Sequence, residues 1–530
     1  MVSLLITRKA SVILYNESHT HVRLSPEFPL TMEYASVLWR LEESILLRNV
    51  VVSSIILSLL LLISYHLWYL YNVSCRDQSC KLPLPPGTMG LPIIGETLNL
   101  LLMGAHFYKK RIKSYGNVFK THLLGNPTIR VVGAKNIRKI ILGEGTLVTG
   151  YWPKSVRMLM GEGTITHSVG ESHRTRRKAI LKAFSHDALS SYVPAIQRIV
   201  KTYIGNWCRQ GYVFGFPECK SLTFSLASQV LVGFHLTENE HKELVRVFHQ
   251  YVNCLFSLPV NVPGSGLYRG MHARHRLMQT IEECIMKKTS SKDDQTCVDV
   301  VTLMMAMVDN DELSQQEVKD VALELLFAGH ATCASASSSM LLQLAKNQHV
   351  VDRILEELGE HGLEGDEDEG ESLTYEAIGK LKYLSHVVKE VLRVSPPIGA
   401  GFRKALQTFE VDGFQIPKGW TVVFSIRETQ ENADLFNNGQ QFDPDRWETI
   451  KDERFNYLPF GGGRRSCPGQ EFAKLVLKIF AIELSRNCTW KLLNESAQMR
   501  YMPVPHPVDG LPVEFSQLTT KTNRTRASTV

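Results

Sequence analysis

Apolar residues recur at helical spacing along most of the chain after about residue 105, and this pattern predicts a mainly helical protein. Short strand-like runs bounded by turns at Val118–Leu123, Thr128–Val132 and Phe409–Val423 predict small β-sheets. Residues Ser314–Glu317 form a capping box and predict the start of a long buried helix. Apolar or small residues then recur three and four positions apart, at Val318, Val321, Leu325, Ala328 and Thr332.

The N-terminal pattern is different, because residues 50–71 are mostly apolar and contain no acid, lysine or arginine. A helix of this length spans about 33 Å, which is enough to cross a bilayer. The first 45 or so residues show no clear helical or strand period and are expected to be irregular. The expected segments are a tail (1–48), a transmembrane anchor (49–71), a proline-rich hinge (72–94), one large domain (95–515) and a C-terminal tail (516–530).

Composition narrows the class of protein. A chain of 530 residues with 44% hydrophobic residues can bury a large core. The net charge of +6 is modest, and no stripe of alternating aromatic and basic residues is present, so no nucleic-acid partner is expected. The ten cysteines lack paired spacing, which argues against a disulfide framework or a zinc site and favours a reducing compartment.

Cys467 carries the most informative local pattern, F-x-x-G-x-R-x-C-x-G, in the segment Phe460–Gly469. Three consecutive glycines allow left-handed turn conformations and close approach to a flat ligand. Arg465 and the amides of a helix predicted after Gly469 favour negative charge on the sulfur. The ordinary alternative is a small buried cysteine in a glycine turn. The five fixed positions favour a thiolate that binds a metal.

This segment resembles the haem-binding loop of the cytochrome P450 superfamily of haem-thiolate monooxygenases. The resemblance implies the cytochrome P450 fold, which is mainly α with small β-sheets, preceded by one N-terminal transmembrane helix. It implies haem b with Cys467 as the axial iron ligand, and O₂ as a substrate. Residues Ala328–Thr332 are similar to the family's distal motif, in which Thr332 would relay protons. The family usually has an acid before this threonine, whereas this chain has Ala331.

Further site residues follow from the same resemblance. Two haem propionates need charged donors. Residues Arg174, Arg176 and Lys178 are expected on a solvated face that binds an acidic redox partner. The expected haem contacts are His173, Arg177, Arg403, Phe460, Arg465 and Gly469. The expected structural ion network, which supports the haem loop, is Glu390, Arg393 and Arg446.

Stretches outside the haem loop, from about residue 82 to 515, resemble the retinoic acid hydroxylase family. They are Leu84–Pro92, Trp152–Arg157, Phe256–Val260, Gly266–Gly270 and Pro507–Pro512. The implied reaction is hydroxylation of all-trans-retinoic acid, mainly on the β-ionone ring, which clears this acid. The electrons would come from NADPH through a reductase. The predicted apolar tunnel residues are Phe256, Phe327, Ile398 and Phe402, and the predicted carboxylate clamp is Arg157.

Two other functions remain open. A retinoid-binding haem protein with impaired turnover would follow if Ala331 interrupts proton delivery. A monooxygenase acting on another lipophilic substrate, such as a sterol, would share the haem motifs.

Basic residues flank the anchor on both sides, so the orientation in the membrane rests on the resemblance. It implies a single-pass protein of the endoplasmic reticulum membrane with its catalytic domain in the cytosol.

Overall fold

The structure is a computed structural model that describes residues 28–74, 76–92, 94–234, 236–290, 299–363, 373–450 and 454–518. The predicted tail segments 1–27 and 519–530 therefore lie outside the described residues. The chain divides into two compact units, residues 1–71 and 72–530.

The first unit contains most of one long helix, α1 (Phe28–Ser74). Its segment Trp39–Tyr71 contains an 18-residue window with a mean hydropathy of 2.3, and the segment is long and apolar enough to cross a membrane. The expectation of an irregular tail is wrong for residues 28–48, because these residues are helical. The part of the tail after Trp39 is rich in leucine, glutamate and arginine, which are strong helix formers even where the apolar period is weak.

Helices make up most of the second unit, as the sequence predicts. They are α2 (Thr97–Met103), α3 (Ala105–Tyr115), α4 (Ala134–Leu142), α5 (Lys154–Met160), α6 (Gly170–Lys182), α7 (His186–Gln210), α8 (Gly215–Leu226), α9 (Glu238–Cys254), α10 (Gly266–Ser290), α11 (Val300–Val308), α12 (Gln315–Lys346), α13 (Gln348–Glu360), α14 (Tyr375–Lys380), α15 (Lys382–Val394), α16 (Arg427–Asn432), α17 (Arg446–Thr449) and α18 (Gln470–Asn487). A π-helical turn (Ala227–Leu231) follows α8, and a 3₁₀ turn (Gly463–Arg465) precedes α18.

The sheets are small, also as predicted. The largest has five strands in the order β1-β2-β8-β5-β3, with β2 parallel to β8 and the other neighbours antiparallel. A three-stranded sheet has the order β4-β12-β9, and two hairpins pair β6 with β7 and β10 with β11. The strands are β1 (Val118–Leu123), β2 (Asn126–Val131), β3 (Val148–Gly150), β4 (Tyr212–Phe214), β5 (Ala400–Ala405), β6 (Phe409–Val411), β7 (Phe414–Ile416), β8 (Thr421–Ser425), β9 (Cys488–Leu492), β10 (Met499–Arg500), β11 (His506–Pro507) and β12 (Pro512–Gln517).

Helix α12 runs through the core, and its predicted capping box is confirmed. The Ser314 hydroxyl accepts a hydrogen bond from the Glu317 amide, and the Ser314 amide donates to the Glu317 carboxylate. This helix is also apolar enough to cross a membrane, but 72% of its most apolar window is buried inside the protein. A Cβ at Gly329 would lie 3.0 Å from a Leu231 methyl carbon, so glycine allows α12 to pack closely against the π-helical turn.

Candidate active site

The loop before α18 has the backbone that its glycines predict. Gly461 and Gly463 adopt φ of 67° and 65°, a region that other residues rarely occupy. A Cβ at Gly463 would also lie only 2.9 Å from an Ile141 side-chain carbon. The Cys467 amide donates to the Phe460 carbonyl over 2.9 Å and closes the loop. These constraints hold Cys467 just before the first turn of α18.

The Cys467 side chain is solvent-accessible because it lines a cavity in the second unit. Protein atoms around the sulfur raise the pKa of the thiol by desolvation, whereas the Gly469 N–H and the Arg177 charge act in the opposite direction. Arg177 also donates to the carbonyl and hydroxyl oxygens of Ser466, at 2.7 and 3.1 Å. The surroundings thus supply an amide donor and a cation for a thiolate, but the cation is Arg177 and not Arg465, the residue predicted from the sequence.

The cavity has a volume of about 370 Å³ and is lined mainly by apolar side chains. Helix α12 contributes Ala328, Gly329, Thr332 and Cys333 to its wall. The Thr332 hydroxyl donates to the Ala328 carbonyl over 2.6 Å, one turn earlier in the helix. Two other predicted contacts, Phe460 and Gly469, line the same cavity as Cys467 and Thr332.

Arg403 on β5 and Arg465 in the 3₁₀ turn also line this cavity, and they share one carboxylate, that of Glu144. The Arg403 Nε lies 2.8 Å from one Glu144 oxygen, and the Arg465 Nε donates to the other oxygen over 3.2 Å. Glu144 is buried and also accepts a hydrogen bond from the Gly150 amide at 3.0 Å. A single glutamate therefore fixes two cations at one edge of the cavity.

The other two predicted cofactor contacts, His173 and Arg177, lie on α6 and line an adjoining groove that shares Arg465 and Glu144 with the cavity edge. Burial, and then the charges of Arg465 and Arg177, lower the pKa of His173 to about 4. Its imidazole is therefore neutral near pH 7 and can act only as a neutral hydrogen-bonding group.

The same groove carries a basic surface. We use the name basic groove for the surface lined by Arg174, Arg177, Lys178, Lys182, Arg464 and Arg465. Arg174 and Lys178 are exposed there, as expected. The expectation for Arg176 is wrong, because its side chain is buried and paired with Glu317 of α12. The Arg176–Glu317 ion pair links α6 to α12, so Arg176 is not available to a redox partner.

Glu390, Arg393 and Arg446 lie in contact, where the sequence places a structural ion network. Both Glu390 oxygens accept from the Arg393 guanidinium at 2.8 Å, and Arg446 Nε donates to Glu390 over 3.0 Å. The Trp447 indole donates to the same carboxylate over 3.0 Å. The network joins α15 to the segment before the cysteine loop.

The predicted substrate residues divide into two groups. Phe327 and Ile398 line the cavity. Phe402 does not line the cavity. Successive residues of a strand face opposite sides of the sheet, and its neighbours Gly401 and Arg403 face the cavity. Phe402 packs instead on Trp152, with ring centroids 6.2 Å apart.

Phe256 and Arg157 are also outside the cavity. Phe256 is 44% exposed and lies just after the end of α9 at Cys254. Arg157 lies on the exposed face of α5, whose opposite face buries Val156, Leu159 and Met160. The structure therefore does not bring the predicted carboxylate clamp to the cavity.

Sequence reasoning missed three polar residues of the site, Glu144, Thr166 and Glu324. Glu324 had a readable signal, because it is an acid four residues before Ala328 on the cavity-facing stripe of a buried helix. Glu144 and Thr166 had none, since they lie in loops and meet their partners only through the tertiary fold.

Fold and site together define a class of protein. A cysteine at the N-terminus of a core helix faces an apolar cavity that also holds the threonine motif of α12, as in haem-thiolate proteins. The charges fit a haem. Arg177, Arg403 and Arg465 carry three positive charges and Glu144 carries one negative charge, so two positive charges remain for the two propionates. The residues that would hold it are Cys467 at the iron and these arginines at the propionates.

Comparisons with known proteins identify the family. The family model described as Cytochrome P450 matches residues 85–506. Cytochrome P450 26A1 of Danio rerio is 44% identical over 469 residues, which cover 86% of this chain and 95% of that protein. Cytochrome P450 26B1 of Homo sapiens is 45% identical over 477 residues, which cover 88% of this chain and 93% of that protein.

A solved structure described as retinoic acid bound cyanobacterial CYP120A1 is also similar. The match covers 83% of this chain and 100% of that one, with a TM-score of 0.77 and 35% sequence identity. This chain belongs to the cytochrome P450 family and is a cytochrome P450 monooxygenase.

Glu144 provides a test of the propionate assignment. Without haem, Glu144→Ala is expected to destabilise the protein by about 3 kcal/mol, because two arginines whose side chains are only 11% and 13% exposed lose their counter-ion. With haem bound, the loss should be clearly smaller, since two propionates can serve both arginines. Urea denaturation of the haem-free and haem-loaded variants measures both values. An equal loss in the two forms would contradict the assignment of Arg403 and Arg465 to the propionates.

Proposed function

We propose that this protein is a membrane-bound monooxygenase that hydroxylates all-trans-retinoic acid, mainly on the β-ionone ring, and thereby clears it. The observation that carries the proposal is the apolar cavity that holds both Cys467 and Thr332. A polyene acid needs such an apolar enclosure. The similarity over most of the chain to a structure described as retinoic acid bound supports this substrate.

The residues have separate tasks in this reaction. When bound, haem would supply an iron that binds and activates O₂ for insertion into a C–H bond. The Cys467 thiolate would donate electron density to the iron, and the loop hydrogen bond to Phe460 fixes its direction. Phe327 and Ile398 would contact the hydrocarbon of the substrate. The Thr332 hydroxyl would hold a proton beside the reacting oxygen, by turning away from the Ala328 carbonyl.

Electron supply is part of the same proposal. The basic groove lies next to the cysteine loop and presents Arg174, Lys178 and Lys182 to an acidic partner. The partner proposed is the NADPH-cytochrome reductase. The apolar segment Trp39–Tyr71 supports a membrane anchor. The endoplasmic reticulum membrane and a cytosolic catalytic domain are proposed from the family resemblance.

The alanine at position 331, where the family usually has an acid, motivates a second function, although the similarity to monooxygenases does not favour it. This chain would then bind retinoid without efficient turnover. Full-length protein in vesicles with reductase, NADPH and retinoic acid separates the two functions by product analysis and peroxide yield. Polar products that require NADPH support the monooxygenase. Tight retinoid binding with peroxide and no polar product would support the binder.

A further inference from the structure

The cavity contains a single carboxyl group among the described residues that line it, that of Glu324. Its other lining side chains with exchangeable protons include the hydroxyls of Thr166 and Thr332 and the thiols of Cys333 and Cys467. Position 331, which normally supplies an acid to this kind of cavity, holds alanine. A proton donor for reduced oxygen must therefore come from elsewhere in the protein or from water.

Glu324, Ala328 and Thr332 are four residues apart on α12 and form one stripe along the cavity wall. Glu324 and Thr332 are about two helical turns apart, or about 12 Å along the helix axis. Ala328 lies between them and adds only a methyl group, so it leaves space beside the helix for water. A short water chain can therefore connect the carboxyl group with the Thr332 hydroxyl.

The Glu324 residue is buried, with 4% of its surface exposed, and its carboxylate binds the loop that contains Ile165 and Thr166. It accepts hydrogen bonds from the amides of Ile165 and Thr166 at 2.7 and 2.9 Å, and from the Thr166 hydroxyl. Thr166 also lines the cavity, so its hydroxyl links the carboxyl to the open space. Burial raises the pKa of Glu324 above its usual range, although these donors oppose the shift.

Charged and titratable groups surround Glu324 from several elements. Arg176 of α6 exerts an electrostatic effect on it, and Glu324 and Asp320 in turn act on the Tyr251 hydroxyl of α9. Asp320, one turn earlier on α12, is paired with Arg274 of α10 at 2.5 Å. Glu317 precedes Asp320 by three residues, and its side chain is 26% exposed. Asp320 and Glu317 are thus held in ion pairs with Arg274 and Arg176 and act as structural anchors of α12.

We propose that Glu324 is the cavity acid of this protein and replaces the missing acid at position 331. The Thr166 hydroxyl donates to the Glu324 carboxylate in the structure, and when Glu324 is protonated this hydroxyl turns to cavity water and its oxygen accepts from the carboxyl group. The carboxyl proton then passes to the Thr166 oxygen, while Thr166 passes its own proton to cavity water and on to Thr332. Each turnover consumes O₂, two electrons from the reductase and two protons, and yields one hydroxylated product and one water. Solvent protons restore the Glu324 carboxyl. This inference rests on the proposed monooxygenase function.

The test uses full-length, haem-loaded protein with reductase, NADPH and retinoic acid. Glu324→Gln keeps the side-chain shape and one acceptor but cannot supply the proton. Product formed per NADPH consumed should fall about tenfold or more, because general acid catalysis contributes at least that much. Peroxide should rise in proportion, while NADPH consumption continues. Adding Ala331→Glu to this variant should restore a large part of the product yield.

Asp320→Asn is the matched structural control. Asp320 accepts from the Gly163 amide at 3.1 Å and anchors the same segment, but it does not line the cavity. This variant should unfold at a lower temperature without losing product per NADPH. If Asp320→Asn uncouples the reaction as strongly as Glu324→Gln, and Ala331→Glu rescues neither, Glu324 is only an anchor and the proposal is wrong.

An infrared titration tests the acid without turnover. The wild-type protein should show a carboxyl band that titrates above the usual range of glutamate and that Glu324→Gln lacks. Absence of a band that depends on Glu324 would overturn the proposal. If wild-type protein yields no polar retinoid product, the proposed function fails, but the infrared result and the peroxide yield still decide whether Glu324 donates protons.

Discussion

Cys467→Ser is expected to abolish monooxygenase activity and the thiolate-type absorption band of the reduced carbon monoxide complex. Serine keeps the size of the side chain, and the Cys467 amide can still bond to the Phe460 carbonyl, so the loop should keep its shape. A hydroxyl does not ionise beside one arginine and one amide as a thiol can, so the iron would lose its electron-rich ligand. The spectrum and product analysis on the same preparation measure the two losses.

Cys333→Ser is the matched control, because Cys333 is the other thiol that lines the cavity. Desolvation raises the pKa of Cys333 to about 12, and the Thr332 hydroxyl opposes this only in part. The Cys467 sulfur, in contrast, has the Gly469 amide and Arg177 beside it. The Cys333 variant should keep the thiolate-type band. Retention of the band in Cys467→Ser, or its loss in Cys333→Ser, would exclude Cys467 as the ligand.

The cysteine loop could be predicted because its information is local. Two positive φ angles, a helix start and a nearby arginine all follow from ten consecutive residues. The capping box and the apolar period of α12 were predictable for the same reason, since capping and burial periodicity depend on neighbouring residues.

Contacts between distant segments could not be predicted in the same way. Glu144 meets Arg403 and Arg465 only because β3, β5 and the 3₁₀ turn converge, and no spacing in the sequence reveals this. Arg176 sits among basic residues that are mostly exposed, but the helical rotation turns it towards Glu317. The side of β5 on which Phe402 lies depends on the pairing of β5 with β8, so the sequence alone predicts the wrong side for this residue.

Glu390→Ala is expected to destabilise the protein by about 3–5 kcal/mol or more, because it removes the carboxylate of a buried ion network. Glu390 is fully buried and Arg393 is 1% exposed, so the substitution leaves one guanidinium in the core without its carboxylate. Arg446 and the Trp447 indole lose the same acceptor. Because the network joins α15 to the segment before the cysteine loop, haem retention should fall together with the urea midpoint.

Glu171→Ala is the matched control for burial, because Glu171 and Arg174 form the same glutamate–arginine pair at the same spacing of three residues. Their side chains are 81% and 68% exposed, so water and salt screen the pair, and the substitution should change stability by less than about 1 kcal/mol. The stability loss of Glu390→Gln should lie between the losses of Glu390→Ala and Glu171→Ala, since one oxygen acceptor remains while the charge is lost. Equal losses for Glu390→Ala and Glu171→Ala would mean that burial of the network does not determine its contribution, and that Arg393 finds other partners in the core.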